Sequence, residues 1–98
     1  MKAVLLLSRR ILIRRGVFVE TVLWRVPHPV KSSNHDYKYR LALVANGVCV
    51  LRYDNEAGKG DHKHIGNEEL PYRFSDVDAL LRDFRSDIGK WLDENGDF

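Results

Sequence analysis

Cysteine is nearly absent: Cys49 is the only one in 98 residues, so no internal disulfide can form and a structural zinc site built on cysteine pairs is excluded. Lying in the apolar run VCVL, Cys49 reads as a small buried hydrophobe, which fits a reducing, cytoplasmic setting. Long apolar runs are missing too. MKAVLLLSRRILIRR has five consecutive apolar residues before Ser8 and Arg9, too few for a signal-peptide core or a membrane span, so no targeting segment is read. Of the three prolines, two fall in PHPVKSSNHD, residues 27–36, which reads as a loop. No internal repeat or low-complexity tract occurs. What is there is ordinary: 44% hydrophobic and 31% charged residues, the composition of a soluble globular domain. A chain this short buries only about two thirds of the surface its unfolded form exposes.

Net charge is +2, but its placement is uneven. Residues 1–53 hold 10 Lys/Arg against 2 Asp/Glu, and residues 54–98 hold 6 against 12. Such a split suits a basic surface for phosphates beside an acidic segment that meets a basic partner; two solvated faces account for it equally simply.

Asn46-Gly47, between YKYRLALVA and VCVLRYD, suits a type I′ turn, whose two central residues both need positive φ, and predicts a β-hairpin. That turn sets Ala45 opposite Val48, Leu43 opposite Val50, Leu41 opposite Arg52 and Tyr39 opposite Asp54. Upstream, ILI and VFVETVLW around Arg15-Gly16 predict a second hairpin, although the leucines of the first fifteen residues also draw an amphipathic helix. In SDVDALLRDFRSDIGKWLDENGD, Val77, Leu80, Leu81, Phe84, Ile88, Trp91 and Leu92 form one apolar helical stripe. Ser75 is the expected N-cap, Asn95-Gly96 the stop, and Asp83, Asp87, Asp93 and Glu94 point to water. Gly89 inside the helix costs about 1 kcal/mol relative to alanine, which a close approach to the sheet would explain. The predicted class is α+β: a small antiparallel β-meander of about four strands in two hairpins (3–13, 17–26, 37–45, 48–54), a polar loop 55–66, and one C-terminal helix over 76–94, in a single domain 1–98.

RYDNEAGKGDHKH, residues 52–64, has almost nothing to bury. A calcium loop fails, because counting from Asp54 places Lys59 sixth and Ile65 twelfth, where an EF-hand needs glycine and glutamate. Gly58-Lys59-Gly60 would let backbone approach an anion, with Lys59 and Lys63 adding charge. His62 and His64 are two apart, which in extended backbone puts both rings on one face, as an acid/base pair or a metal pair requires. The hairpin register brings Tyr37, Tyr39 and Arg40 to the same end. RNA cleavage needs such a set: one histidine to take the 2′-hydroxyl proton, one to protonate the leaving oxygen, and a cation on the phosphorane. The same residues also suit a solvated loop serving structure or partner binding.

YKYRLALV, GVCVLRYDNEAGKGDHKHIG and PYRFSDVDALLRDF resemble the TumE family, toxin components of prokaryotic toxin-antitoxin pairs, over most of the chain. The specific parts are the R-[Y/W]-D-N run, here Arg52-Tyr53-Asp54-Asn55, and H-x-H, here His62-Lys63-His64. Many relatives carry an extra histidine just before this pair, where Asp61 stands, which favours a two-histidine arrangement over a metal or three-histidine one. The resemblance implies a small growth-inhibiting protein encoded beside an antitoxin, often of helix-turn-helix DNA-binding type, that binds and silences it; it carries no assigned reaction.

Residues and resemblance together predict a cytoplasmic toxin acting on RNA as a metal-independent endoribonuclease. His62, His64, Asp54 and Lys59 are the expected catalytic set, and Arg52, Arg40, Tyr39, Tyr37, Lys63 and Asn55 the substrate-binding set. No cofactor is expected, and His62, His64 and His35 form the weaker metal alternative. Expected partners are the antitoxin and RNA, not a membrane, and an exposed sheet edge leaves a homodimer open. The alternative is a non-catalytic module that binds an antitoxin or nucleic acid through its basic sheet and acidic helix.

Overall fold

A computed structural model describes residues 2–95. Six strands, β1 (Val4–Arg14), β2 (Val17–Arg25), β3 (Tyr37–Ala45), β4 (Val48–Asp54), β5 (His62–Ile65) and β6 (Glu68–Pro71), pair antiparallel in chain order, and α1 (Val77–Asn95) follows them. The class is α+β with an antiparallel sheet and one C-terminal helix, but the meander has six strands where about four were expected. Of the extra pair, β5 comes from the stretch read as a polar loop over 55–66 and β6 from the residues just beyond it. His62–Ile65 is extended and pairs with β4, and the chain returns through Gly66-Asn67 to form β6. Gly66 takes a φ of +59 while Asn67 does not turn positive, the signature of a II′ hairpin turn with glycine in its first central position.

At the β3–β4 turn, Asn46 and Gly47 have φ of 51 and 82, as type I′ requires. Ala45 pairs with Val48 and Val44 with Cys49, but Leu43 then faces Leu51, leaving Val50 as the extra residue of a β-bulge. The expected register therefore holds for Ala45–Val48 and Val44–Cys49 and slips by one residue from Leu43 onward. Past the bulge Leu41 meets Tyr53 and Arg40 meets Asp54, so every later β4 side chain lies on the face opposite to the one the sequence suggested. The slip has a hydrophobic reason. It joins Leu51 and Tyr53 to Leu41 and Leu43, and with Val17, Val19, Leu23 and Tyr39 these close under Leu80, Phe84 and Ile88 of α1 as the buried core. Cys49, read as buried, is exposed.

The helix starts one residue later than its expected cap. Asp76, not Ser75, accepts the Ala79 N–H at 2.7 Å, which satisfies one of the free donors of the first turn. Gly96, the expected stop, lies outside the described residues. Asp83 and Asp87 do not point freely to water: Tyr72 donates to Asp83 at 2.6 Å, Tyr53 donates to Asp87, and Lys63 Nζ lies 3.2 Å from Asp87. Nor does close approach explain Gly89, because nothing stands within 4 Å of where its Cβ would be.

Candidate functional site

With α1 over one face, the other face of the sheet is bare. Strand pairing lays two rows of side chains across it: Glu20, Ala42, Arg52, His64 and Glu69 in one, and Val22, Arg40, Asp54, His62 and Pro71 in the next. Three of the catalytic candidates, His62, His64 and Asp54, are thus neighbours on one surface, with Arg52 and Arg40 beside them. The bulge at Val50 brings this about, since without it Arg52 and Asp54 would point under the helix.

The cluster is tight. Arg52 Nε is 3.0 Å from Asp54 Oδ2, His62 Nε2 is 2.8 Å from Asp54 Oδ1, and Arg52 Nη2 is 2.9 Å from His64 Nε2. The approaches to Asp54 are oblique, so that Arg52 Nε and Asp54 Oδ1 are buried without an aligned hydrogen bond among the described residues. The two imidazoles differ in what is left free. His62, 5% exposed, has Nδ1 at 3.0 Å from the Gly60 carbonyl and Nε2 against Asp54. Both ring nitrogens face acceptors, and neither is open to a substrate. His64 is the open ring. Its Nε2 accepts from Arg52, which can only donate, and also lies 3.2 Å from Glu69 Oε2. A proton taken up at Nε2 moves that bond from Arg52 to Glu69, so this ring has a proton position that can change hands.

The remaining candidates are elsewhere. Tyr37, Tyr39 and Lys63 lie on the helix face, where Tyr39 and Lys63 are engaged with acids. Tyr39 OH donates to Asp61 Oδ2 at 2.7 Å; burial, and then that hydrogen bond, push its hydroxyl pKa far above the ordinary tyrosine range. Asn55, 1% exposed, is held by backbone rather than facing a substrate. Lys59 is exposed in the turn, with no ion pair among the described residues. The glycine loop does not cradle an anion, because the Gly58 N–H donates to the Lys31 carbonyl at 2.9 Å and the Lys59 N–H to the Glu56 carbonyl at 3.1 Å. Gly60 instead allows contact with the Ser32 carbonyl, 2.9 Å from where a Cβ would sit. Tyr37 and Tyr39, expected at the same end as the histidines, thus stand on the opposite face of the sheet from His62 and His64.

His35 cannot join a metal set with His62 and His64. It donates from Nε2 to Asp61 at 2.7 Å, accepts the Tyr37 N–H on Nδ1, and stacks on Phe74 at 3.8 Å, on the far side of the sheet. Asp54, His62 and His64 do have ligand atoms within 4.8 Å of one another, a donor set that suits zinc. The Arg52 guanidinium already stands between Asp54 and His64 and supplies the positive charge a metal would bring. Sequence reasoning missed Glu69, which the Gly66-Asn67 turn sets opposite His64, and Asp61, which gathers Ser33, His35 and Tyr39. A two-residue Gly-Asn turn between HKHI and EELP was the available signal for Glu69.

Fold and cluster together define a small α+β protein that presents a polar, histidine-bearing sheet face. The family model described as Toxin TumE matches residues 2–92. With nearly the whole chain covered, the protein belongs to the TumE toxin family, the toxin side of a toxin-antitoxin pair, and a cognate antitoxin is its partner. No curated protein and no solved structure matches the chain. No helix among the described residues is long and apolar enough to cross a membrane.

Proposed function

We propose that this toxin acts on RNA at the bare sheet face, as a metal-independent endoribonuclease of the cytoplasm, silenced by an antitoxin that carries a DNA-binding helix-turn-helix. The observation that supports the reading is the open ring of His64, held between a guanidinium and a carboxylate on a face no helix covers. Arg40 and Lys38 share that face, and so does Trp24, opposite Lys38. Cations interleaved with an aromatic ring suit a single RNA strand, whose phosphates and unstacked bases need both.

In this reading Glu69 takes the proton of the ribose 2′-hydroxyl as O2′ attacks phosphorus. Protonated His64 gives its proton to the departing 5′-oxygen, and the products are a 2′,3′-cyclic phosphate and a free 5′-hydroxyl. Arg52 and Arg40 stabilise the phosphorane charge. Asp54 and the doubly engaged His62 are positioning residues that hold Arg52. His62 is thereby removed from the acid/base pair expected of it, and Lys59 from the phosphate contacts.

The test is cleavage of a single-stranded RNA in excess EDTA. The wild-type protein should cleave it, and His64→Ala should lose about 100-fold or more while keeping its far-UV spectrum. Cleavage that returns only with added zinc would move the chemistry to a metal on Asp54, His62 and His64. Undiminished cleavage by His64→Ala would remove this face as the site.

A further inference from the structure

Six strands at about 4.8 Å spacing make a face about 24 Å broad, and a single helix, about 10 Å across, cannot cover it. The helix lies nearest β4, and β1, at the sheet edge, is left bare. Ile11, on the helix side of β1 opposite Val19, is 44% exposed. On the helix side a cavity of about 150 Å³ lies between β1 and the flank of α1, walled by Leu7, Ile11, Leu81 and Ile88 and bordered by Arg9 and Arg85. No acidic residue lines it. The acids of α1 that face the sheet lie on its other flank, where Asp83 and Asp87 are held by Tyr72, Tyr53 and Lys63.

We infer that this trough is the docking site for an acidic amphipathic helix of a partner protein, which would lie beside α1 and complete the helical layer over the sheet. The inference deepens the partner half of the reading above and rests on it, but not on the chemistry of the bare face. Charge decides the occupant. A helix with apolar residues at three- and four-residue spacings would bury Leu7, Ile11 and Leu81, and carboxylates along its edges would meet Arg9 and Arg85. A second copy of this chain would bring the two arginine rims together. Its α1 cannot serve either, because that apolar stripe is already buried on its own sheet. Nucleic acid would satisfy the arginines but leave the leucines and Ile11 in water, where an exposed apolar patch calls for an apolar cover.

The test is calorimetric titration of the purified cognate antitoxin into wild type, Ile11→Glu, Arg85→Glu and His64→Ala, each first shown folded by far-UV spectrum. Ile11→Glu and Arg85→Glu should bind at least tenfold more weakly, His64→Ala as tightly as wild type, and the wild-type affinity should fall as NaCl is raised. RNA cleavage should survive both trough substitutions. Arg85 lies on the exposed side of α1, so its variant remains informative if Ile11→Glu fails to fold. Antitoxin binding that neither substitution weakens would overturn the trough while leaving the partner. A wild-type dimer by light scattering that Ile11→Glu splits would give the trough to a second copy, and loss of RNA binding without loss of antitoxin binding would give it to nucleic acid; either overturns the assignment. Absence of any complex with the antitoxin would overturn partner and occupant together, whatever the protein does to RNA.

Discussion

All the polar capacity of the Asn55 side chain that the structure shows in use goes to the protein itself. Oδ1 accepts the Tyr39 N–H at 3.0 Å, and Nδ2 donates to the Tyr37 carbonyl at 2.7 Å and to Ser33 Oγ at 3.3 Å. The amide thus continues the β3–β4 ladder one step beyond Asp54, standing in for a backbone that has turned away. Asn55→Ala should lower stability by about 3 kcal/mol, because a buried N–H and C=O lose their partners together; the urea midpoint measures it. A midpoint near wild type would return Asn55 to the substrate side. The same distinction separates the histidines. Their spacing placed both rings on one face, as observed, but spacing says nothing of what each nitrogen meets, and only the fold brings the Gly60 carbonyl to His62 Nδ1.

Among the elements, the two hairpin turns with glycine and asparagine show how local chemistry can be legible and still be passed over. Asn46-Gly47 announced its turn; Gly66-Asn67 is as short, but the strands beside it, HKHI and EELP, carry too few apolar residues to signal pairing. They are held as strands by the open edge of β4, a tertiary cause. The bulge at Val50 is of the same kind: both faces of β4 are apolar near the turn, so no alternation reveals which register buries more. The helix was legible nearly to its ends because an apolar stripe that runs from Val77 to Leu92 of a nineteen-residue helix leaves little choice of face. Gly89 within it has no steric reason to be glycine. Gly89→Ala should raise stability by about 0.5–1 kcal/mol, through the unfolded chain's lost freedom, seen as a higher thermal midpoint with RNA cleavage unchanged.

For the whole molecule, three tyrosine hydroxyls donating to aspartates tie the layers and loops together: Tyr53 to Asp87, Tyr72 to Asp83, and Tyr39 to Asp61. Burial, and next the hydrogen bond to each aspartate, raise all three pKa values well above the ordinary tyrosine value. Groups raised in the folded state contribute stability that is fully present below the unfolded value, about 10, and is lost as pH climbs through the folded values. Stability should therefore be insensitive to these groups at neutral pH and fall above about pH 10. The denaturant midpoint of Tyr53→Phe should fall less steeply over that range than that of wild type. Equal slopes would mean that Tyr53 titrates alike in both states.

Composition, turn residues and helical periodicity by themselves determined the α+β class, the β3–β4 hairpin, the apolar stripe of α1, and the stretch from Arg52 to His64 as the place to look. Each of these depends on near neighbours in the chain: paired positive φ angles, a 3.6-residue repeat, two side chains on one strand face. Only the tertiary structure decided the bulge that turned Arg52 and Asp54 to the bare face, the pairing that set Glu69 beside His64, and the separation of that cluster from the tyrosines. Those outcomes depend on which register buries Leu51 and Tyr53 against α1, an energy summed over residues far apart in the chain and invisible to any local pattern.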